Sequence, residues 1–155
     1  MHTPTIEPYR GHREELLWSF RLAEDSEESL AGYLHLGTVW VARAEDGSVV
    51  GHLQVIPAGT VWEVRNTAVA ESHQGRGIGR RMIEHALAEA RGAGVRRVIV
   101  ATAAADVGNL RFYQRCGFRM ERVVQDAFGP GSGYPDPIEI DGIPLRDQVW
   151  FGLDL

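Results

Sequence analysis

The sequence contains no lysine; all 16 of its basic residues are arginine. Chemistry that needs an ε-amine is thereby excluded, including the phosphate-gripping lysine of a P-loop and the Schiff bases of pyridoxal enzymes. Cysteine occurs once, at Cys116, so neither an internal disulfide nor a cysteine-based zinc site can form. Long apolar runs are missing as well, and none approaches the ~20 residues that a bilayer-spanning helix requires. Residues 1–10 are polar, carry Pro4 and Pro8, and lack the apolar stretch of a signal peptide. A cytoplasmic protein with no membrane partner is the expectation. Excess positive charge is absent too. With 16 basic against 21 acidic residues, the net charge of −5 opposes a nucleic-acid-binding role.

What is present suits one globular domain spanning residues 1–155, with 44% hydrophobic and 24% charged side chains and no internal repeat. Residues 11–23 place Leu16, Leu17 and Phe20 on one helical stripe, and residues 26–36 form a second short helix with Ser26 as its N-cap. β-rich runs follow at 38–44 and 49–57, joined by a turn containing Asp46-Gly47, and a third strand covers 61–70. A longer helix at 77–91 presents Ile78, Met82, Ile83, Ala86, Leu87 and Ala90 on one face. The apolar run 95–102 reads as a strand covered on both faces, 108–116 as a short helix, 118–128 as a strand, and 146–155 as a final strand. Residues 129–137 carry Pro130, Pro135 and Pro137 and read as a loop. Strand and helix alternate only in the centre, which predicts an α+β fold with a mixed sheet flanked by helices.

The informative junction is Gln74-Gly75-Arg76-Gly77-Ile78-Gly79-Arg80-Arg81, where a strand end passes into a helix start. Glycines at alternate positions let a ligand approach the backbone, and the free N–H groups of a helix start form an anion cradle. Acidic residues normally occupy a first helical turn, yet here Arg76, Arg80 and Arg81 do, an arrangement that a bound phosphate or pyrophosphate would relieve. Arg80 can also pair with Glu84 one turn on. The common nucleotide signatures do not apply. A P-loop lacks its lysine, and Arg80 stands where the third glycine of a dinucleotide fingerprint belongs.

Gln74-Gly75-Arg76-Gly77-Ile78-Gly79 resembles the acyl-CoA motif of the GNAT superfamily, the Gcn5-related N-acetyltransferases. A second stretch, Asn109-Leu110-Arg111-Phe112-Tyr113-Gln114-Arg115-Cys116-Gly117-Phe118, is similar to that family's other signature. The two motifs stand in the family's order, separated by a helix and an apolar strand. The resemblance is close over residues 61–118 and looser beyond. It implies a mixed, mostly antiparallel sheet of six or seven strands with about four helices, whose fourth and fifth strands splay to hold acetyl-CoA as co-substrate. The family pattern assigns the pyrophosphate to backbone amides of Gln74, Gly75, Arg76, Gly77, Ile78, Gly79, Arg80 and Arg81. It assigns the pantetheine arm to backbone groups of Val69 and Ala70, and contacts near the thioester to Asn109 and Tyr113. Glu71 stands where members commonly carry proline.

Acyl transfer to an amine needs a neutral amine, a polarised carbonyl and a protonated leaving group. Glu63 is the candidate base, on the strand entering the cleft where several family members carry a glutamate. Strict alternation places Glu63, Arg65, Thr67 and Val69 on one face and Trp62, Val64, Asn66 and Ala68 on the other. His52, His35 and His73 are rival bases, and a water chain is a further route. Tyr113 is the candidate acid, its phenol being a proton donor at neutral pH. Cys116 reads as a small buried hydrophobe, and no metal is expected.

For the acceptor, the resemblance points to the first helix pair and the late loop. Both carry acid: Glu24, Asp25, Glu27 and Glu28 early, Asp136, Glu139 and Asp141 late. Such a surface suits a small-molecule amine that is cationic. Tyr134, Trp40, Trp62 and Trp150 are candidate pocket walls. The alternatives are a protein or peptide N-acetyltransferase and a non-catalytic acyl-CoA-binding module. A homodimer sharing the final strand is left open.

Overall fold

The computed structural model describes residues 2–134 and 138–155. A first strand, β1 (Thr5–Pro8), leads through a 3-10 turn (Arg13–Leu16) into α1 (Leu17–Ala23) and α2 (Glu27–Tyr33). The Ser26 hydroxyl caps α2 by accepting from the Ser29 amide at 3.1 Å, as its place before the apolar stripe predicts. Then come β2 (Thr38–Arg43), β3 (Val49–Ala58) and β4 (Val61–Val69), followed by a 3-10 turn (Glu71–His73) and the long helix α3 (Ile78–Gly92). The chain continues through β5 (Arg97–Ala103), α4 (Val107–Arg115) and β6 (Arg119–Val124), the short pair β7 (Glu139–Ile140) and β8 (Ile143–Pro144), and β9 (Gln148–Asp154).

Seven strands form one sheet in the order β1-β2-β3-β4-β5-β9-β6, and β7 pairs with β8 apart from it. Every neighbouring pair in the large sheet is antiparallel except β4 and β5. Alternation on β2 shows how the helices are layered. Val39 and Val41 point into a core with Leu16, Phe20 and Leu30 of the α1–α2 side. Trp40 and Ala42 point into the opposite core, with Ile78, Met82 and Ile83 of α3 and with Tyr113, Phe118 and Phe151. The sheet is therefore covered on both faces. Among the described residues, no helix is long and apolar enough to cross a membrane.

The sequence pattern and the structure differ at identifiable places. β1 and the β7–β8 pair were not expected; each is too short to show a period and is defined by its partner strand. The strand expected over 118–128 stops at Val124 and gives way to turns. The largest correction concerns β4. The register opposite β3 pairs Gln54 with Asn66 but Val55 with Val64, leaving Arg65 as an extra residue, a β-bulge. Beyond it the faces exchange. Val64 packs in the α3-side core, whereas Asn66 hydrogen-bonds the Phe20 carbonyl and the Tyr33 hydroxyl on the α1–α2 side. Strict alternation had put these two residues on one face. Of the described segments, the loop at 129–134 reads as expected; Pro135, Asp136 and Pro137 lie outside the described residues.

Candidate active site

The parallel ladder between β4 and β5 runs only from Val61↔Arg97 to Val64↔Val100. Past the bulge, β4 stays paired with β3 up to Val69, and β5 stays paired with β9 up to Ala103. The two strands diverge there, and backbone groups on the facing edges are left without a ladder partner. A cavity of about 990 Å³ opens at the divergence and continues along the start of α3.

At one end of this cavity the helix start is bare. Gly77, the N-cap of α3, has a left-handed backbone (φ 79°) and offers no side chain to cap the helix. Gly75 is left-handed as well (φ 76°), and a Cβ at either glycine would project into open space. The Gln74 amide donates to Glu71 and the Arg81 amide to Gly77. Between them, the amides of Gly75, Arg76, Gly77, Ile78, Gly79 and Arg80 have no acceptor among the described residues. A run of unpaired donors on the positive end of a helix fits a pyrophosphate. Arg80 lines the same end, pairing with Glu84 at 3.1 Å, and Arg115 joins it from α4.

The other expected cofactor contacts divide. Val69, Gln74, Gly75, Gly77, Ile78, Gly79, Arg80, Asn109 and Tyr113 line the cavity together with Glu63. The Gln74 side chain donates to the Val69 carbonyl at 2.9 Å, so the loop is tied back to the end of the splayed strand. Ala70, Arg76 and Arg81 are not among the residues lining the cavity, although the Arg76 amide belongs to the unpaired run. The Ala70 amide donates to Val50. Arg81 reaches the Pro4 carbonyl at 2.8 Å, and both arginines line a separate pocket beside the N-terminal segment. Asn109 is oriented by two residues not singled out in the sequence. Asp106 caps α4 through the Asn109 amide, and the Asn109 side chain donates to the Thr102 hydroxyl. The Asp-x-x-Asn spacing ahead of α4 is the signal that marks the first of them.

Tyr113 is 4% exposed, with its ring among Phe112, Phe118 and Phe151. Its hydroxyl has no hydrogen-bond partner among the described residues, and burial pushes the phenol well above its ordinary pKa. Glu63 is half-buried in the cavity wall. Burial raises its carboxyl above the usual range, partly offset by Arg65, whose Nη1 lies 3.7 Å from Glu63 Oε2. The rival histidines stand elsewhere. His52 is fully buried, stacked on Phe20 at 4.1 Å, with Nε2 donating to Asn66 Oδ1 at 2.8 Å and Nδ1 against the Ser19 hydroxyl. It does not line the cavity, and burial lowers its pKa to about 4. His35 faces Glu14 at the surface. His73 sits at the rim beside Ser72.

Away from the helix start the cavity is bounded by Glu24, Asp25, Tyr33, Glu63, Arg65 and Tyr134, and Glu139 also lines it. Glu24 is clasped at both oxygens, by the Tyr33 hydroxyl at 3.0 Å and the Tyr134 hydroxyl at 2.6 Å. The Ser26 hydroxyl donates to the Gly133 carbonyl at 3.0 Å, so the α1–α2 corner and the late loop are joined twice. Burial and the neighbouring Glu24 raise the Asp25 carboxyl. Of the other acidic candidates, Glu27, Glu28 and Asp141 do not line the cavity, and Asp136 lies outside the described residues. Trp40, Trp62 and Trp150 are not pocket walls: the first two meet in the α3-side core and the third lies under Arg122. Cys116 is half-buried, packing against the α3-side core while also bordering the cavity.

Residues 6–118 match the Acetyltransferase (GNAT) family. The chain is 30% identical over 142 residues to YvbK of Bacillus subtilis, an N-acetyltransferase described as uncharacterised, covering 92% of this chain and 90% of that one. Among solved structures, a Bacillus subtilis acetyltransferase in complex with CoA is 30% identical with a TM-score of 0.88, covering 98% of this chain and 99% of the other. An acetyltransferase from Bacillus cereus described as acting on IAA is 32% identical (TM-score 0.88; 99% and 100% covered). A GNAT family acetyltransferase from Elizabethkingia anophelis with acetyl-CoA bound is 26% identical (TM-score 0.90; both chains covered in full).

Proposed function

The chain belongs to the GNAT acetyltransferase family, and from that premise we propose that residues 1–155 act as one N-acetyltransferase domain on the primary amine of a small cationic molecule. It is an acetyl-CoA-dependent acetyltransferase, with acetyl-CoA as its co-substrate. The observation that carries the reading is the continuity of one cavity, from the unpaired amides of Gly75 to Arg80, past Glu63 and Tyr113, to the acid-bordered end.

Bound acetyl-CoA supplies an activated acetyl thioester. The amides of Gly75 to Arg80, with Arg80 beside them, would hold its pyrophosphate; of the other lining residues, Val69 would meet the pantetheine arm and Asn109 the thioester end. Glu63, directly or through one water, takes a proton from the incoming ammonium and so frees the nitrogen lone pair. The N–C bond forms at the acetyl carbon while the C–S bond breaks. Tyr113 gives its phenolic proton to the departing sulfur and recovers one from the acetylated nitrogen. The net change is ammonium plus thioester to acetamide, thiol and one proton, which Glu63 releases to solvent. Burial serves Tyr113 by keeping the phenol protonated at neutral pH. Glu24, Asp25 and Glu139 in the cavity lining support a cationic acceptor.

The test is calorimetric titration with acetyl-CoA, with dephosphorylated pantetheine as control, followed by a panel of amines scored for acetylation. Saturable binding that depends on the pyrophosphate, and turnover of cationic amines that weakens with salt, are the expected results. Absence of binding at millimolar acetyl-CoA overturns the cradle. A preference for neutral or acidic acceptors at low salt overturns the cationic acceptor.

A further inference from the structure

Arg65 is the extra residue of the β4 bulge, and the bulge turns its side chain to the α1–α2 face of the sheet, into the acceptor end of the cavity. Its guanidinium lies over the Tyr33 ring, 4.2 Å from the centroid, with 32% of the side chain exposed. That stacking fixes the plane of the group and leaves its N–H edge free. No hydrogen bond satisfies that edge among the described residues. The nearest carboxylate, Glu63, is 3.7 Å away, beyond hydrogen-bond range. Among the described residues no other carboxylate lies within ion-pair distance of Arg65. Held in plane by Tyr33 and used by no acceptor among the described residues, these donors open into the cavity and are available to a ligand.

We propose that Arg65 anchors a carboxylate of the acceptor, which makes the substrate an amino carboxylate with a further cationic group, such as a diamino acid. The inference rests on the acetyl-transfer reading and narrows it. Glu63 and Arg65 stand side by side in the cavity wall, so one molecule can present its amine to the first and its carboxylate to the second. The carboxylate meets the fork of Arg65 in the paired geometry that a planar guanidinium favours. Asp25 and Glu139, which line the same cavity, are available to the remaining cation.

The experiment compares three acceptors of one skeleton: ornithine, its carboxamide, and putrescine, which lacks the carboxylate. In the wild type, kcat/KM for ornithine exceeds that of the other two at least tenfold, mainly through KM. In Arg65→Gln that ratio collapses towards one; Arg65→Lys, which keeps the charge without the fork, restores part of it. Acetyl-CoA titration of each variant verifies that the fold persists. Putrescine used as well as or better than ornithine overturns the carboxylate anchor while leaving the cationic-amine reading in place. A ratio unchanged in Arg65→Gln overturns the anchor too. Titration of the CoA-loaded protein with ornithine keeps the two readings apart. Arg65-dependent binding without acetylation supports the anchor and overturns the transfer chemistry.

Discussion

Burial acts in one direction on the two side chains assigned to proton transfer, and the consequences differ with their chemistry. For Tyr113, a raised pKa keeps the phenol in the form that donates. The ring is fixed among aromatic neighbours, so removing only its oxygen leaves packing intact. Tyr113→Phe is therefore expected to lower kcat about 10²-fold, the scale of one general acid, with the Kd for acetyl-CoA unchanged. An unaltered kcat removes Tyr113 as the acid. For Glu63, a raised pKa moves protonation closer to neutrality. A base is lost when protonated, so kcat/KM falls on the acid side at a pH above the ordinary carboxylate range, and Glu63→Gln abolishes that limb. That both residues line one cavity was legible in the sequence, for Tyr113 through its place in a motif and for Glu63 through its strand. Arg65 was visible as a residue but not as a ligand group, because its unused donors and its stacking partner Tyr33, 32 positions earlier in the chain, exist only in the fold.

At the scale of elements, one inserted residue decides what the splayed strand can present. Were β4 regular, Val64 and Asn66 would share a face. The bulge lets Val64 fill the α3-side core while Asn66, two positions on, joins His52 and Tyr33. No sequence period announces a bulge, which explains why alternation read the first half of β4 correctly and inverted the second. The glycine junction was more legible, since its meaning depends on local backbone chemistry alone. Gly77 has φ 79° and open space where a Cβ would stand. In Gly77→Val the branched side chain occupies the mouth of the cradle and is strained in a left-handed backbone by about 1–2 kcal/mol. The expected result is a folded protein by circular dichroism, with a modestly lower Tm and acetyl-CoA binding weakened at least tenfold in calorimetry. Wild-type affinity in that variant would falsify the placement of the pyrophosphate.

At the scale of the molecule, the two faces of the sheet have separate tasks, and a buried polar chain links the strands to the helices that border the acceptor end. Ser19 of α1, His52 of β3, Asn66 of β4, Tyr33 of α2 and Glu24 at the α1–α2 corner are joined in series by hydrogen bonds. The central alternation of strand and helix was legible because it follows from hydrophobic period. This chain was not, because its members are scattered from residue 19 to residue 66 and meet only after the sheet has formed. Its protonation state carries a prediction for the whole fold. His52 is neutral in the native protein, with its pKa lowered to about 4 chiefly by burial, whereas an unfolded histidine titrates near 6.5. As pH falls below about 6.5, the unfolded chain takes up a proton that the native state refuses until about pH 4. Stability must decline through that window, by on the order of 3 kcal/mol for this group alone. Carboxylates add their own acid dependence, so the diagnostic quantity is the difference in slope between wild type and His52→Gln. Denaturant unfolding at pH 7, 6, 5 and 4 measures it. The variant is expected to be less stable at pH 7, having lost the stack on Phe20, and to lose less on acidification. Parallel slopes would mean that His52 is protonated in the folded protein, and the chain from Ser19 to Glu24 would then hold a buried charge rather than a neutral relay of hydrogen bonds.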